Sequence, residues 1–475
     1  MPEAPTPAWN SEEPGCSFAL KTSPKPATSW RSKSRKRSEQ PTRDCRAVTL
    51  GQQTGRLTPV RLDPIAIRSK FPALERLQGG RPVVWADGPG GTQVPESVID
   101  AMAGVHRKGA SNHGGFFAAS AESDELHESA RSAVADLLGS SPSEVAFGQN
   151  MTSMTFALSR AIGRTWKEGD EVVLTRLDHD ANVSPWMLAA RDAGATVRFA
   201  DIDTSNATLD MASLEAAVGP NTRLVAFPAA SNAVGSLVDV TRAVEIAHSV
   251  GALAFVDAVH YAPHGPIDVG AFDCDFLVAS AYKFFGPHTG ALYGKHELLE
   301  QFDAYRLRPA PFAAPGKWET GTQSFESLAG VVAAVDYLAS IGSSLANTQH
   351  SVGSRRADLV AAMAATHQYE QMLSHRFLDG VSRIPKIRVY GVTKGDPLER
   401  TPTFGISIEG VHPDRVAAAL GAEGIFVWSG HYYAVEPIAA LGVAEAGGLV
   451  RIGFVHYNLP EEVDRVIEAL QRIAG

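Results

Sequence analysis

The feature that most constrains the fold is a regular alternation of short apolar runs with helical patterns along most of the chain. Helical patterns such as residues 184–193 and 240–250 stand between apolar runs of strand length. Strands that alternate with helices at this spacing indicate a mostly parallel sheet covered by helices on both faces. We therefore predict an α/β fold whose central strands lie in these runs: residues 171–174, 196–199, 224–227, 252–256 and 276–279.

The last part of the chain has a different pattern of predicted strands and helices. Residues 403–408 and 449–454 are typical of strands, and residues 461–474 are typical of a closing helix. We predict a large domain over residues 61–320, of which the first twenty or so form an N-terminal arm. A smaller C-terminal α+β domain is predicted over residues 321–475.

The N-terminal segment, residues 1–60, stands apart from the rest. It is rich in Pro, Ser, Thr, Lys and Arg, and its run of basic residues at 30–37 has no hydrophobic face. Such a segment buries too little apolar surface to offset the entropy lost on ordering. The composition predicts a disordered basic tail; the alternative is a patch that binds an anionic partner.

Composition excludes several classes of protein. A net charge of -9 over 475 residues argues against a nucleic-acid-binding surface. The three cysteines include no CxxC pair, which argues against a disulfide framework and for a reducing cytoplasm. We find no apolar run of about 18 residues and no signal-peptide pattern. We therefore expect a cytoplasmic protein with neither a nucleic-acid nor a membrane partner.

In open parallel sheets, ligands bind beyond the carboxyl ends of the strands, so residues directly after the apolar runs are the candidates. Asp257 ends one run, His260 follows it, and Lys283 comes 26 residues after Asp257, just past the next run. Pyridoxal phosphate (PLP) needs such a pair. Lysine forms the imine, and a carboxylate keeps the pyridine nitrogen protonated. The alternative is a structural ion pair at the rim of the sheet.

Three further strand ends carry suitable groups. Thr152 and Ser153 open a helical pattern, where backbone N–H groups and the helix dipole favour a phosphate. His179 follows one strand and could stack on a pyridine ring, and Asn232 supplies an amide after another. In isolation the hydroxyl residues would be read as a plain helix N-cap and His179 as a loop histidine. Together they favour one cofactor site.

From about residue 60 onward the chain resembles the class V aminotransferase superfamily, with PLP fold type I, and most closely its cysteine desulfurase-like branch. The similarity lies in residues 255–260, 178–182 and 449–452 and, most specifically, in Ser-Ala-Tyr-Lys-Phe-Phe-Gly-Pro at 280–287. The resemblance implies that Lys283 is the Schiff-base lysine. It implies these cofactor contacts: Asp257 on the pyridine nitrogen, His179 stacked on the ring, His260 near the ring hydroxyl, and Thr152, Ser153 and Ser280 around the phosphate.

The resemblance also implies a substrate site and a quaternary structure. Asn232 and Arg451 match positions that bind the substrate carboxylate, and His431 lies in the small-domain motif assigned to the substrate side. Thr322 matches a residue that reaches the phosphate of a neighbouring subunit, which implies a homodimer with shared active sites. The sequence around Arg451 supports this carboxylate-binding role independently of the resemblance. A guanidinium in a strand of Leu, Val and Ile needs an anionic partner. A substrate carboxylate and a structural salt bridge both meet that need.

One departure from the family pattern is large. The desulfurases of this branch carry a cysteine after an Arg-x-Gly-His-His-type motif. Here the corresponding stretch at 428–434 is Trp-Ser-Gly-His-Tyr-Tyr-Ala, so Tyr433 replaces the cysteine and Trp428 replaces the arginine. This argues against desulfurase activity and leaves PLP binding intact.

The expected function is therefore PLP chemistry on an amino acid by an aminotransferase, a lyase or an epimerase, between which the sequence does not choose. The alternatives are a genuine cysteine desulfurase with a non-standard thiol and a non-catalytic scaffold that has kept the fold. A nicotinamide-binding Rossmann protein is suggested by the glycines at 88–91, but GxGxxG is incomplete and the ribose-binding acid is missing. No metal-ligand cluster is expected.

Overall fold

The computed structural model describes residues 62–346, 353–394 and 400–475, so the predicted tail lies outside the described residues. The strands are β1 (Leu77–Gln78), β2 (Arg81–Pro82), β3 (Val84–Trp85), β4 (Val145–Gly148), β5 (Glu171–Thr175), β6 (Thr196–Ala200), β7 (Ile202–Asp203), β8 (Thr208–Leu209), β9 (Thr222–Pro228), β10 (Leu253–Asp257), β11 (Phe276–Ser280), β12 (Gly290–Gly294), β13 (Ile387–Tyr390), β14 (Thr403–Ile408), β15 (Ile425–Phe426), β16 (Trp428–Gly430) and β17 (Leu449–Gly453).

The helices alternate with the strands through the first two thirds of the described chain. They are α1 (Pro64–Arg68), α2 (Glu96–Lys108), α3 (Ala118–Leu138), α4 (Met151–Gly163), α5 (Ser184–Ala193), α6 (Met211–Ala217), α7 (Val240–His248), α8 (Val269–Phe272), α9 (His296–Gln301), α10 (Phe325–Ala346), α11 (Arg355–Val381), α12 (Pro413–Ala422), α13 (Val435–Ala440) and α14 (Pro460–Ala474).

The central sheet has seven strands in the order β4-β12-β11-β10-β9-β5-β6. Strands β6, β5, β9, β10 and β11 run parallel, and β12 is antiparallel to both of its neighbours. The prediction of a mostly parallel α/β sheet is confirmed. The five predicted runs are its five parallel strands, so their carboxyl ends meet at one edge.

Both faces of the sheet are buried, which explains why the strands read as continuous apolar runs. In β9, Leu224 and Ala226 belong to one apolar core, and Val225 and Phe227 belong to the core on the opposite face. Side chains alternate between faces in any strand, and here each face packs against helices. No position in the middle of β9 therefore tolerates a polar residue without loss of burial.

A second, antiparallel sheet follows in the C-terminal part, with the order β13-β14-β17-β16. Its apolar core includes residues of α11, α12 and α14, in agreement with the predicted α+β architecture. Val84 and Ala86 of the N-terminal arm also belong to this core, and β3 pairs with β15 in parallel. The arm therefore contributes to the C-terminal core. The domain boundaries at 61–320 and 321–475 stay predictions.

Helix α10 corrects the expectation that no segment has the length and apolarity of a membrane span. Among the described residues, Phe325–Leu345 meets that criterion, with a mean hydropathy of 1.5. A search for an uninterrupted apolar run misses this helix because Asp336 and several small residues lie within it. Of this window 56% is buried, and α10 packs against α2, α3 and α11, as a core helix does. A single helix of this kind is weak evidence for a span.

The start of α4 is held against the edge of the sheet by a close backbone approach. Gly290 in β12 pairs with Ser280 at the end of β11. A Cβ atom at Gly290 would overlap the backbone of Asn150, the residue before α4, so only glycine allows this contact. The first turn of α4 is thereby placed beside the carboxyl end of β11.

Candidate active site

Four candidate residues follow four adjacent parallel strands. His179 comes after β5, Asn232 after β9, Asp257 ends β10, and Lys283 lies in a single 3₁₀ turn directly after β11. Because these strands run in the same direction, all four residues lie at the same edge of the sheet. The edge is the one that the strand-end argument selects for ligand binding.

Lys283 is half-buried as a residue but its amine is enclosed, and Nζ donates a hydrogen bond to the carbonyl of Pro89. Burial is the main cause that lowers the pKa of this amine to about 7, and the nearby guanidinium of Arg451 lowers it further. The carboxylates of Asp257 and Asp87 act in the opposite direction. Near neutral pH the amine is therefore substantially uncharged, as a nucleophile must be.

Asp257 is the buried carboxylate at the end of the neighbouring strand, and its Oδ1 accepts a hydrogen bond of 2.9 Å from the N–H of Val259. Burial raises the pKa of this carboxyl to about 6, whereas the Val259 N–H and the charge of Lys283 lower it. At neutral pH the group still carries a negative charge. A buried carboxylate of this kind can keep a proton on a basic ring nitrogen beside it.

A buried hydrogen-bond network fixes the loop that carries His179. Asp178 accepts hydrogen bonds from the Thr175 hydroxyl and from Asn182 Nδ2, the second at 2.8 Å. Asn182 Oδ1 in turn accepts from the indole N–H of Trp186 at 3.1 Å. With its polar atoms satisfied, this network can stay buried and hold the loop in one conformation.

The imidazole of His179 is neutral in the structure. Burial lowers its pKa to about 4, and the charges of Lys283 and Arg451 add to the effect. Nδ1 accepts a hydrogen bond of 3.0 Å from the N–H of Ala181, so Nε2 carries the ring proton. The ring stacks on that of Tyr433, with centroids 5.6 Å apart and planes 29° from parallel.

The N-terminus of α4 lies at the same edge, with Asn150 as the N-cap. The Asn150 side chain accepts from the N–H of Ser153 at 2.9 Å, and Ser280 Oγ accepts from the N–H of Met151 at 3.0 Å. Thr152 lies between these two residues in the first turn. The alternative in which Thr152 or Ser153 is the N-cap is wrong, because the N-cap is Asn150, two residues before Thr152. Thr152, Ser153 and Ser280 do surround one helix N-terminus, which suits an anion.

His260 is buried three residues after Asp257. Its Nε2 lies 3.1 Å from Thr401 Oγ1, and its ring meets the ring of His264 edge to face at 5.3 Å. Burial lowers the pKa of His260 well below the usual range, and the neighbouring charges of His264 and Lys283 add to this. The ring is therefore neutral and offers one donor and one acceptor.

The predicted carboxylate-binding pair, Arg451 and Asn232, is in direct contact. Arg451 donates to the backbone carbonyl of Asn232 at 3.0 Å, and its guanidinium lies 4.4 Å from the ring centroid of Tyr432. The Asn232 amide donates to the carbonyl of Tyr432 at 3.2 Å. No acidic group of the described residues forms an ion pair with Arg451. Asp87 is close enough to act on Arg451 electrostatically but forms no ion pair with it, so the buried guanidinium is suited to bind a carboxylate from outside.

Two residues at this edge were missed by sequence reasoning. Asp87 follows β3, and its Oδ1 is buried without a hydrogen-bond partner among the described residues. Burial raises the pKa of Asp87 to about 6, against the charges of Arg451 and Lys283. The strand-end argument could have found Asp87, because it directly follows an apolar run. Tyr432 gave no such signal, because only the folded chain brings it to Arg451.

Two predicted residues are exposed to solvent. Thr322 is exposed in the connection between α9 and α10. His431 is exposed, and its Nδ1 accepts from the N–H of Tyr433 at 3.1 Å. Within the described ranges, no group of three or more His, Cys, Asp or Glu side chains has the arrangement of a metal site.

The donor set at this edge fits PLP. A lysine amine with a pKa of about 7 and a buried carboxylate lie at the ends of adjacent strands. A flat neutral imidazole and a helix N-terminus lie at the same edge. Each matches one part of the cofactor: aldehyde, ring nitrogen, ring face and phosphate.

Comparison with known proteins also supports a PLP site. A family model described as aminotransferase class-V matches residues 84–357 and 356–466. The chain is 30% identical over 423 residues to a protein named cysteine desulfurase from Yersinia pestis (strain Pestoides F), covering 86% of this chain and 97% of that one. It is 32% identical over 427 residues to a probable cysteine desulfurase from Mycolicibacterium paratuberculosis, of whose length it spans 58%.

Two solved structures resemble the fold. The apo cysteine desulfurase from Thermococcus onnurineus NA1 superposes with a TM-score of 0.76 at 25% identity, over 86% of this chain and 98% of that one. The cysteine desulfurase CsdA from Escherichia coli gives a TM-score of 0.73 at 27% identity, with the same coverage.

Fold and site together define a PLP-dependent enzyme with fold type I. More narrowly, the chain belongs to the class V aminotransferase family and is cysteine desulfurase-like in sequence and structure.

The burial of Asp257 predicts a measurable effect on stability. A carboxyl whose pKa is 3.8 in the unfolded chain and about 6 in the fold binds more protons when folded, so wild-type stability falls as pH rises between these values. At 1.36 kcal/mol per pH unit the full difference is about 3 kcal/mol. We expect Asp257→Asn apoprotein to be more stable than wild type at pH 8, by up to that amount, and equal to it near pH 4.

Urea unfolding of both apoproteins at the two pH values measures this difference. Asp192→Asn is the matched control, because the Asp192 side chain is 69% exposed and its loss should change stability by less than about 0.5 kcal/mol. A pH-independent difference for Asp257→Asn would contradict the argument.

Proposed function

We propose that Lys283 binds PLP as a Schiff base and that the enzyme carries out aminotransferase, lyase or epimerase chemistry on an amino acid. The observation that carries this proposal is the buried pair of Lys283 and Asp257 at the ends of adjacent parallel strands. When bound, the cofactor supplies an electron sink for the substrate carbon.

Each cofactor contact is assigned to a residue at the edge of the sheet. Asp257 holds the proton on the ring nitrogen, His179 covers a face of the ring, and His260 lies near the ring hydroxyl. The phosphate is assigned to the first turn of α4, with Thr152, Ser153 and Ser280. Support comes from the neutral His179 ring and from the hydrogen bond between Ser280 and the start of α4.

On the substrate side, Arg451 binds the carboxylate and Asn232 orients it, while His431 lies at the entrance. The absence of an ion-pair partner for Arg451 among the described residues supports this role. Lys283, with a pKa of about 7, can accept and return a proton at Nζ near neutral pH. An amine that was fully protonated could not act as the base.

Trapping the lysine tests the cofactor assignment. Purified enzyme treated with borohydride should carry the reduced cofactor on Lys283, because its amine is uncharged enough to form the imine. Peptide mapping by mass spectrometry locates the label. Lys317→Ala serves as a control, because Lys317 is also buried but donates to the carbonyl of Glu300 instead. A label that persists in Lys283→Ala would refute the assignment.

A second candidate function is cysteine desulfuration, which the names of the relatives favour. That reaction needs a thiolate to attack the substrate sulfur. Among the described residues the one cysteine is Cys274, which is buried, and burial raises its thiol pKa to about 12. Tyr433 cannot form a persulfide. Cys16 and Cys45 lie outside the described residues, so a desulfurase reaction would have to use them or Cys274.

Incubation with L-cysteine separates the two functions. We expect no enzyme-bound persulfide, because Cys274 stays protonated at neutral pH. Intact-mass and peptide mass spectrometry detect a persulfide as one added sulfur atom. Deleting residues 1–60 should leave the native reaction unchanged. A persulfide on Cys274 that forms in step with alanine would establish the desulfurase instead.

The family resemblance also supports a homodimer, in which Thr322 completes the phosphate site of the other subunit. Thr322 is exposed, and the same connection exposes the apolar side chains of Leu307 and Phe312, which a partner would cover. Light scattering at assay concentration should give twice the chain mass. Thr322→Ala should weaken cofactor retention without dissociating the dimer. A fully active monomer would contradict this proposal.

The remaining partners follow from composition. A small amino-acid-like substrate is proposed, without nucleic acid or membrane, in agreement with the net charge of -9. A cytoplasmic location is proposed because the three cysteines are not arranged for disulfides.

A further inference from the structure

The loop after β16 has an unusual backbone. Two consecutive residues other than glycine, Tyr432 and Tyr433, adopt positive φ angles of 39° and 60°. The left-handed region is unfavourable for any residue with a Cβ atom, and such conformations persist only where surrounding contacts hold them. The contacts of this loop therefore indicate what its conformation serves.

The backbone carbonyl of each tyrosine accepts a hydrogen bond from a different loop of the large sheet. Tyr432 accepts a hydrogen bond of 3.2 Å from the Asn232 side chain. Tyr433 accepts one of 2.7 Å from the N–H of Asp180, the residue after His179. The strained conformation thus joins the small-sheet loop to two loops of the predicted active site.

The two tyrosine rings have different surroundings. The Tyr432 ring is largely enclosed and lies against the guanidinium of Arg451, at 4.4 Å. The buried Nε of Arg451 has no hydrogen-bond partner among the described residues and can donate to a carboxylate. The Tyr433 ring stacks on His179 but is 66% exposed, so a large aromatic surface faces solvent beside the cofactor histidine.

Trp428, at the start of β16, presents a second exposed ring beside the site. Its side chain is 52% exposed and packs over Gly90, where a Cβ atom would overlap the indole nitrogen. The adjacent residue, Pro89, accepts the hydrogen bond of Lys283. The exposed ring of Tyr433 thus contacts His179 directly, and the exposed ring of Trp428 packs beside the segment that contacts Lys283. We call Trp428 and Tyr433 the aromatic rim.

We propose that Tyr433 is a specificity-determining residue, which with Trp428 selects amino acids that carry an aromatic side chain. This inference rests on the proposed function, because it assumes that the substrate is held between Lys283 and Arg451. Rings prefer to pack offset or edge to face on other rings, and a methyl or thiol group gains little from that contact. The Tyr433 ring already stacks on His179 in the unliganded protein, so little rotational freedom is lost on binding.

Equilibrium binding tests the proposal without relying on turnover. The holoenzyme is titrated with L-phenylalanine and L-alanine, and each dissociation constant is read from the change in cofactor absorbance. Wild type should bind phenylalanine more tightly. Tyr433→Asn removes the ring but tolerates a left-handed backbone, and should reduce the preference about 2- to 10-fold, the worth of one aromatic contact. Tyr433→Phe keeps the ring and should keep the preference.

Val435→Ala is the matched control, because Val435 lies two residues further along the same segment and is 46% exposed. It should leave the preference unchanged. Equal affinity of wild type for both amino acids would overturn the proposal, and so would a preference retained in Tyr433→Asn or lost equally in Val435→Ala. Cofactor content on Lys283 is measured for every variant. Failure of the proposed function would show as missing label, and failure of this inference as intact label without selectivity.

Discussion

The structure depends on the burial of two opposite charges, Lys283 and Asp257, at the end of a sheet that is apolar on both faces. Loss of solvation lowers the pKa of the amine to about 7 and raises that of the carboxyl to about 6. Their mutual attraction only partly offsets this cost. The fold can carry such a cost because the two cores on either face of the sheet are extensive. The same burial leaves the amine substantially uncharged near neutral pH, whereas the carboxyl stays ionised there because its raised pKa is still below 7.

Positions around this pair are set by networks rather than by single contacts. Asp178 and Asn182 hold the His179 loop, and the close approach at Gly290 brings α4 to Ser280. A ligand site formed by strand ends is precise only where its loops are fixed, because loops otherwise move. In this protein the fixing groups are themselves buried, so the loops share the rigidity of the sheet.

Sequence reasoning found the elements where a local pattern exists. The five central strands lie where apolar runs predicted them, and the Lys-containing segment after β11 was recognisable from eight consecutive residues. It placed the helix cap wrongly, because Thr152, Ser153 and Asn150 are all capable N-caps and only packing decides between them. It missed Tyr432, whose partners Asn232 and Arg451 are distant in the chain. It also missed the apolar character of α10, which Asp336 and several small residues conceal.

The sequence by itself determined the parallel sheet and the edge at which its strands end, because both depend on short-range periodicity and on the common direction of parallel strands. Lys283 and Asp257 at that edge are the proposed Schiff-base lysine and ring-nitrogen carboxylate. Only the tertiary structure decided how the small-sheet loop meets that edge. Two left-handed tyrosines, one against Arg451 and one against His179, accept hydrogen bonds from residues at least 200 positions earlier in the chain. Such contacts have no local signature, because their energy comes from the assembled fold and not from the propensity of either segment.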